Sequence, residues 1–346
     1  MSLHYPYPEI PAAGELREVA SGVFWLRMPL PFQLDHINLW LLRDGEGWTI
    51  IDTGFPDDGV RATWRGILDR LDGPVKRLIV THFHPDHLGL ATWLMEQTGA
   101  PLAMTSAEFL TAHAVWNEVG GHGAQYMVEQ FRQHGLDADR LDKFASRGSG
   151  YRRAVPGLPA HYQRLKAGES VMVDGQSWKI LIGYGHSPEH LALYCAKLGV
   201  LISGDMLLPK ISTNISVFAA TPDADALRWY LESLTVMAGE IPPQTLVLPS
   251  HGLPFTGGQA RVGALHAHHE ERLHALENSC EQAPQSAAGL LDVLFGRALA
   301  TPQTIFALGE AIAPLNYLEQ AGRLSREIGD DGVIRYSRLP QRSATH

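Results

Sequence analysis

Apolar positions in the first fifty residues fall in short runs separated by turn residues: Val23-Phe24-Trp25-Leu26, Ile37-Asn38-Leu39-Trp40-Leu41-Leu42, and Trp48-Thr49-Ile50-Ile51, which ends at Asp52-Thr53-Gly54. Branched and aromatic runs of this length, bounded by Gly and Asp, predict the strands of a meander. The period then changes. Val60 to Leu71, with Ile67 and Leu71 four apart, predicts a helix, and Leu78-Ile79-Val80 a buried strand, so the pattern becomes β-α-β. Past a polar stretch at 81–87, Leu88 to Met95 predicts another helix, which Pro85 is placed to begin and Thr98-Gly99 to end.

Ser106 to about Gln163 is rich in helix formers and carries Trp116, Tyr126, Phe131, Phe144, Tyr151 and Tyr162. It predicts a helical insertion, expected either to act as a lid or to build a small core from its aromatics. Strands resume with Val171-Met172-Val173, Trp178-Lys179-Ile180-Leu181-Ile182, Leu191-Ala192-Leu193-Tyr194-Cys195, Val200-Leu201-Ile202 and Leu246-Val247-Leu248. Gly257 to Arg323 is helical in pattern, and Gly332-Val333-Ile334-Arg335-Tyr336 reads as a short terminal strand. Two strand-rich halves, each followed by helices, predict an α/β (α+β) domain over 18–257, with the insertion at about 106–163. A small, mostly helical C-terminal domain is expected over 258–346. No internal repeat or low-complexity tract is visible.

The 346 residues are 45% hydrophobic and 19% charged, enough apolar material for a large core. A formal net charge of -9 disfavours nucleic acid as a partner. Cys195 and Cys280 stand far apart, giving neither a disulfide framework nor a Cys-x-x-Cys metal pattern. Met1 to Pro31 holds no export-type apolar region, and no apolar stretch approaches the ~20 residues of a membrane span. A cytoplasmic location without a membrane partner is therefore expected. Histidine, at 17 residues, is in excess and needs a reason.

That reason lies at the strand ends. Leu78-Ile79-Val80 runs into His82 and His84, Lys179-Ile180-Leu181-Ile182 into His186, Val200-Leu201-Ile202 into Asp205, and Leu246-Val247-Leu248 into His251. If those ends share one edge, the side chains converge on rigidly held loops, as a functional site requires. His82 and His84, two apart in extended chain, point the same way and suit one metal. Pro85 turns the chain, so Asp86 and His87 suit a second ion, close enough for a carboxylate such as Asp205 to bridge. Imidazole and carboxylate ligands fit Zn²⁺ first, with Fe and Mn as alternatives.

His82-x-His84-x-Asp86-His87, with Gly185-His186-Ser187, Ser203-Gly204-Asp205 and Ser250-His251-Gly252, resembles the metallo-β-lactamase superfamily over about Gly22 to Gly257. The resemblance implies a four-layer αββα sandwich with two divalent metals at the sheet edge. His82, His84 and His186 would hold one, Asp86, His87 and His251 the other, and Asp205 would bridge them. It also implies that Asp52, in Ile51-Asp52-Thr53-Gly54, supports the ligand loop from behind. His190 matches a position read as supporting the ligands or facing substrate, a core or capping role being equally open; Tyr194 reads as a core aromatic.

The chemistry implied is hydrolysis by a metal-bridging hydroxide, with Asp86 or Asp205 orienting it and taking its proton. True β-lactamases of this fold lack one or more of the His87 and Asp205 pair, and the di-iron relatives carry Glu where this chain has His84. The leading expectation is a hydrolase of small-molecule esters, thioesters or lactones. The alternative is a phosphodiesterase or endoribonuclease. It rests on His268-His269-Glu270-Glu271-Arg272-Leu273, Leu290 to Gly296 and Asn316 to Leu324, which are similar to the tail of the β-lactamase-like protein 2 branch and imply a winged-helix-like domain. The tail holds more acidic than basic residues, against that alternative. A homodimer built through the tail is left open. His266, His268, His269 and His274 offer helical spacing for an extra metal, though an exposed or packed helix face is the simpler expectation.

Overall fold

The structure, a computed structural model, describes residues 3–147, 150–296 and 301–340. β1 (Arg17–Ala20), β2 (Val23–Pro29), β3 (His36–Asp44) and β4 (Gly47–Ile51) form the expected meander, each antiparallel to the next. α1 (Asp58–Leu68) starts two residues before the predicted helix, because Asp57 caps it by accepting the Gly59 N–H at 2.7 Å. Its buried stripe is Val60, Trp64 and Ile67, and Leu71 lies beyond its end. β5 (Val75–Ile79) then pairs parallel to β4.

Pro85 opens α2 (Pro85–Leu88), and Gly99, at a left-handed φ of 72°, closes α3 (Ala91–Thr98). The seven-stranded sheet is completed by β6 (Leu102–Thr105) and, after α4 (Ser106–Trp116), α5 (Ala124–Gln133), α6 (Ala138–Arg147) and α7 (Tyr151–Ala154), by β7 (Gln163–Leu165). A second sheet has the order β12-β11-β10-β9-β8, from β8 (Ser170–Val173), β9 (Gln176–Gly183), β10 (His190–Cys195), β11 (Val200–Gly204) and, after α8 (Ala226–Glu240), β12 (Leu246–Pro249).

Alternation along the strands decides how the sheets face one another. Val23 and Trp25, Trp40 and Leu42, and Ile51 and Ile79 from the first sheet share one core with Trp178 and Ile180, Leu191 and Leu193, and Val200 and Ile202 from the second. Each aliphatic side chain buried this way contributes about 1.5–3 kcal/mol. The outer face of the first sheet is buried too, with Leu26, Leu39, Leu41 and Ile50 inaccessible to solvent. Tyr194 is buried within β10.

The chain divides into two compact units, not in simple chain order. One takes the described residues of Met1–Trp116, Gly150–Thr213 and Glu232–Gly263 and contains the sandwich. The other takes those of Asn117–Ser149, Asn214–Leu231 and Ala264–His346, so it draws on the middle of the span read as an insertion as well as on the tail. Its parts include α5, α6, most of α9 (Gly258–Gln282), α10 (Leu291–Phe295), α11 (Thr301–Gln320) and a hairpin of β13 (Leu324–Ile328) and β14 (Ile334–Arg338). The predicted terminal strand is thus one arm of a pair. Residues 297–300 and 341–346 of the expected C-terminal domain lie outside the described residues.

Inside this second unit, the Asn316 side-chain amide donates to the carbonyls of Pro222 and Ala224, at 2.9 and 3.1 Å. Phe131 and Phe144 pack at 5.6 Å, and buried His134 lies parallel to the Tyr336 ring. Among the described residues no helix is long and apolar enough to cross a membrane.

Candidate metal centre

Four strands of the sandwich end at one place. β5 leads into His82 and His84, β9 into His186, β11 into Asp205 and β12 into His251, while α2 carries Asp86 and His87. His82 Nε2 lies 2.9 Å from His84 Nδ1 and 3.1 Å from His186 Nε2. Three ring nitrogens meeting this closely repel through their lone pairs unless a proton or cation lies between them. The separations approach the about 3.3 Å edge of a tetrahedron with Zn–N arms of about 2.0–2.1 Å.

A second group forms beside them. His251 Nε2 is 3.5 Å and His87 Nε2 3.6 Å from Asp86 Oδ2. Asp205 addresses both groups: its Oδ2 is 3.5 Å from His186 Nε2, and its Oδ1 is 3.5 Å from His87 Nε2 and 3.4 Å from His251 Nε2. His82, His84 and His186, then His82, His87 and Asp205, then Asp86, His87 and His251, each bring ligand atoms within 4.8 Å of one another. All seven ligand candidates are therefore brought together.

The His82, His87 and His251 imidazoles are oriented from behind, which fixes the nitrogen each leaves for a cation. His87 Nδ1 lies 2.8 Å from Asp52 Oδ2, leaving His87 Nε2 buried without a hydrogen-bond partner, as is Asp205 Oδ1. His251 Nδ1 donates to the His36 carbonyl at 2.8 Å. Thr81 Oγ1 lies 3.0 Å from His82 Nδ1 and donates to Asp52, which also accepts the Thr81 N–H at 2.7 Å. Asp52 does this from a left-handed φ of 60°, a conformation Asp tolerates better than most residues.

The electrostatics divide the groups. Burial, then the neighbouring imidazoles, hold His82 well below the usual histidine range, and His84 is pushed down to about 3, so both rings are neutral donors. At His87 and His251 burial acts in the same direction, but Asp52, Asp86 and Asp205 outweigh it at His87, and Asp205 and Asp86 do so at His251, which rises to about 10. That half of the site draws positive charge, whether a proton or a metal ion. Burial raises Asp86, yet His87 and His251 hold it down at about 2, so it stays ionised.

His190 does not face solvent. It is fully buried, and its Nε2 accepts the Asp205 N–H at 3.1 Å, so it fixes the backbone of the residue whose carboxylate faces both groups. Gly204, at φ 54°, is required there, since a Cβ would sit 2.4 Å from His190 Cε1.

Several supporting residues carry no motif. Asn38, fully buried in β3, donates to the carbonyls of Pro249 and Gly252, at 2.9 and 2.8 Å, on either side of His251. An amide inside the apolar run Ile37 to Leu42 is the one signal that could have marked it. His36 Nε2 accepts the Gly252 N–H at 2.8 Å. Glu108 is fully buried, and burial raises its carboxyl to about 7 against hydrogen bonds from Ser187, Glu189 and Phe83. Nothing in the sequence around Glu108 announces it.

Residues 33–251 match the family model described as the metallo-beta-lactamase superfamily, and residues 273–339 match that of a metallo-beta-lactamase-like C-terminal domain. A beta-lactamase domain protein from Burkholderia ambifaria is 49% identical, with a TM-score of 0.91 over 97% of this chain and 98% of its own. A metallo-beta-lactamase family protein from Thermus thermophilus is 30% identical, with a TM-score of 0.78 over 93% of this chain and 100% of its own. The probable metallo-hydrolase YqjP of Bacillus subtilis is 22% identical, covering 86% of this chain and 92% of its own length.

Proposed function

The chain belongs to the metallo-beta-lactamase superfamily and is a metal-dependent hydrolase; from that premise we propose a binuclear enzyme acting on a small-molecule ester, thioester or lactone. The observation that carries the reading is the position of Asp205, one oxygen toward His186 and the other toward His87 and His251. His82, His84 and His186 would hold one divalent cation and Asp86, His87 and His251 the other, with Zn²⁺ expected first and Fe or Mn as alternatives. When bound, such cations acidify a water toward neutrality and stabilise negative charge developing on a carbonyl oxygen.

The protein's own residues supply the rest. Asp86 and Asp205 are ionised acceptors for the proton of the attacking water, so no serine or cysteine nucleophile is needed. The Asp86 side chain is 19% exposed while His87 is fully enclosed, so solvent reaches the site beside Asp86. Asp52, His36 and Thr81 keep the imidazoles from turning.

The net charge of -9 supports a small, uncharged or weakly charged substrate. The phosphodiesterase or endoribonuclease reading draws on the match to the C-terminal domain family. Against it, arginines of the tail hairpin and its flank are engaged with carboxylates: Arg323 with Glu277, Arg326 with Asp223, Arg335 with Asp331 and Arg338 with Glu281. A phosphate backbone would have to displace these partners. Metal-loaded protein assayed against thioesters, lactones, carboxylic esters, phosphodiesters and RNA separates the readings. Turnover of an acyl substrate but not of RNA is expected; turnover of RNA alone would replace the first reading with the second.

A further inference from the structure

Phe83 sits between His82 and His84, and side chains from outside the ligand motif hold both of its backbone groups. Its N–H donates to Glu108 Oε2 at 3.0 Å, and its carbonyl accepts the Tyr151 hydroxyl at 2.6 Å. The other oxygen of Glu108 accepts the Ser187 hydroxyl and the Glu189 N–H, both at 2.7 Å. Ser187 follows His186 directly, so one carboxylate fastens the loop of His82 and His84 to the loop of His186.

The tie is reciprocated. The Glu189 carboxylate accepts the Ala107 N–H at the start of α4 at 3.2 Å, and its carbonyl accepts the Thr105 hydroxyl at 3.0 Å. A carboxylate buried among apolar neighbours is costly unless its lone pairs are satisfied, and here three donors converge on it. The cost falls at the point where all three imidazoles of one cluster are anchored. Asp52 and His36 hold His87 and His251 of the other cluster directly, Asp52 reaching His82 only through Thr81, and Glu108 bonds to neither Asp52 nor His36.

We propose that Glu108 and Tyr151 are positioning residues that set His82, His84 and His186 at metal-binding separation, making the affinity of the three-histidine cluster depend on a clamp that holds backbone and not ligand side chains. The inference rests on the two-cluster reading above. Losing a partner that orients ligands typically weakens metal binding about 10- to 100-fold. Glu108→Gln keeps the volume, but its NH₂ group faces a donor whichever way the amide turns, so at least one of the three bonds is lost. Tyr151→Phe removes a single hydroxyl.

The test is a cobalt titration of full-length, metal-free protein followed by visible absorption, with circular dichroism reporting the fold. His84→Ala and His251→Ala assign the binding phases to the two clusters. Glu108→Gln and Tyr151→Phe are each expected to weaken the three-histidine phase by about 10- to 100-fold and leave the other at wild-type strength. If Glu108→Gln fails to fold, Tyr151→Phe decides. Wild-type affinity in both phases would overturn the clamp while the two-cluster reading stands, and equal weakening of both would reduce it to a general support of the fold. A wild type with fewer than two phases would overturn the two-cluster reading and the clamp together.

Discussion

The chain concentrates histidine twice, and the two places behave differently. At the sandwich edge, histidines from three strand ends and one short helix converge; His82, His87, His186 and His251 are buried, and His82, His87 and His251 are each held by a neighbour at one ring nitrogen while the other faces a shared centre. On α9, His266, His268, His269 and His274 follow one another along a single helix and form none of the metal-binding groups found among the described residues. His274 is exposed and turns back to the Glu270 carbonyl at 2.8 Å. Buried His269 lies edge-on to Tyr230. Density of ligand-type residues is thus a poor guide by itself; delivery from separate rigid elements, each with a second partner behind it, is what builds a site.

The sharpest way to break the comparison is Asp205→Ala, which removes the only carboxylate among the described residues that faces both clusters. Turnover at saturating substrate should fall by about 10³-fold, and metal content should fall with it. Retained activity would mean that the two clusters do not work together.

A smaller effect comes from a buried histidine with no place in the metal centre. In the second unit, His134 is pushed down to about 4 by burial and by Arg326, and its Nδ1 has no hydrogen-bond partner. The folded form keeps it neutral while the unfolded chain protonates near pH 6.5. Stability from this residue is therefore fully present above that pH and is lost as pH falls toward 4, by ~1.4 kcal/mol per pH unit and about 3 kcal/mol in all. Chemical denaturation between pH 7 and 4 should show a flatter decline for His134→Gln than for wild type. The smallest effect is expected of His274→Ala, with metal content and turnover unchanged and stability within about 0.5 kcal/mol; a loss of bound metal in that variant would restore α9 as a site.

What could be read in the sequence follows the same division. The ligands were legible because strand ends announce themselves locally, as Leu78-Ile79-Val80 does before His82, and because metals accept few residue types. Their supports were not, since Glu108 reaches Phe83 and Ser187, and Asn38 reaches Pro249 and Gly252, across spans no local pattern encodes. Strands β1 and β7 went unread because they bury one residue and none, and β6 because Leu102-Ala103-Met104-Thr105 holds no valine, isoleucine or aromatic residue. β13 went unread because Leu324 is its one buried residue. The grouping of 117–149 with the tail depends on tertiary packing, visible in the chain only as scattered aromatics.

The central claim is that the sandwich edge holds two cations that act as one centre. Metal content measured by mass spectrometry on protein purified without added metal, and again after reconstitution, tests it most directly. The account predicts about two divalent ions per chain. One ion or none, even after reconstitution, would contradict it.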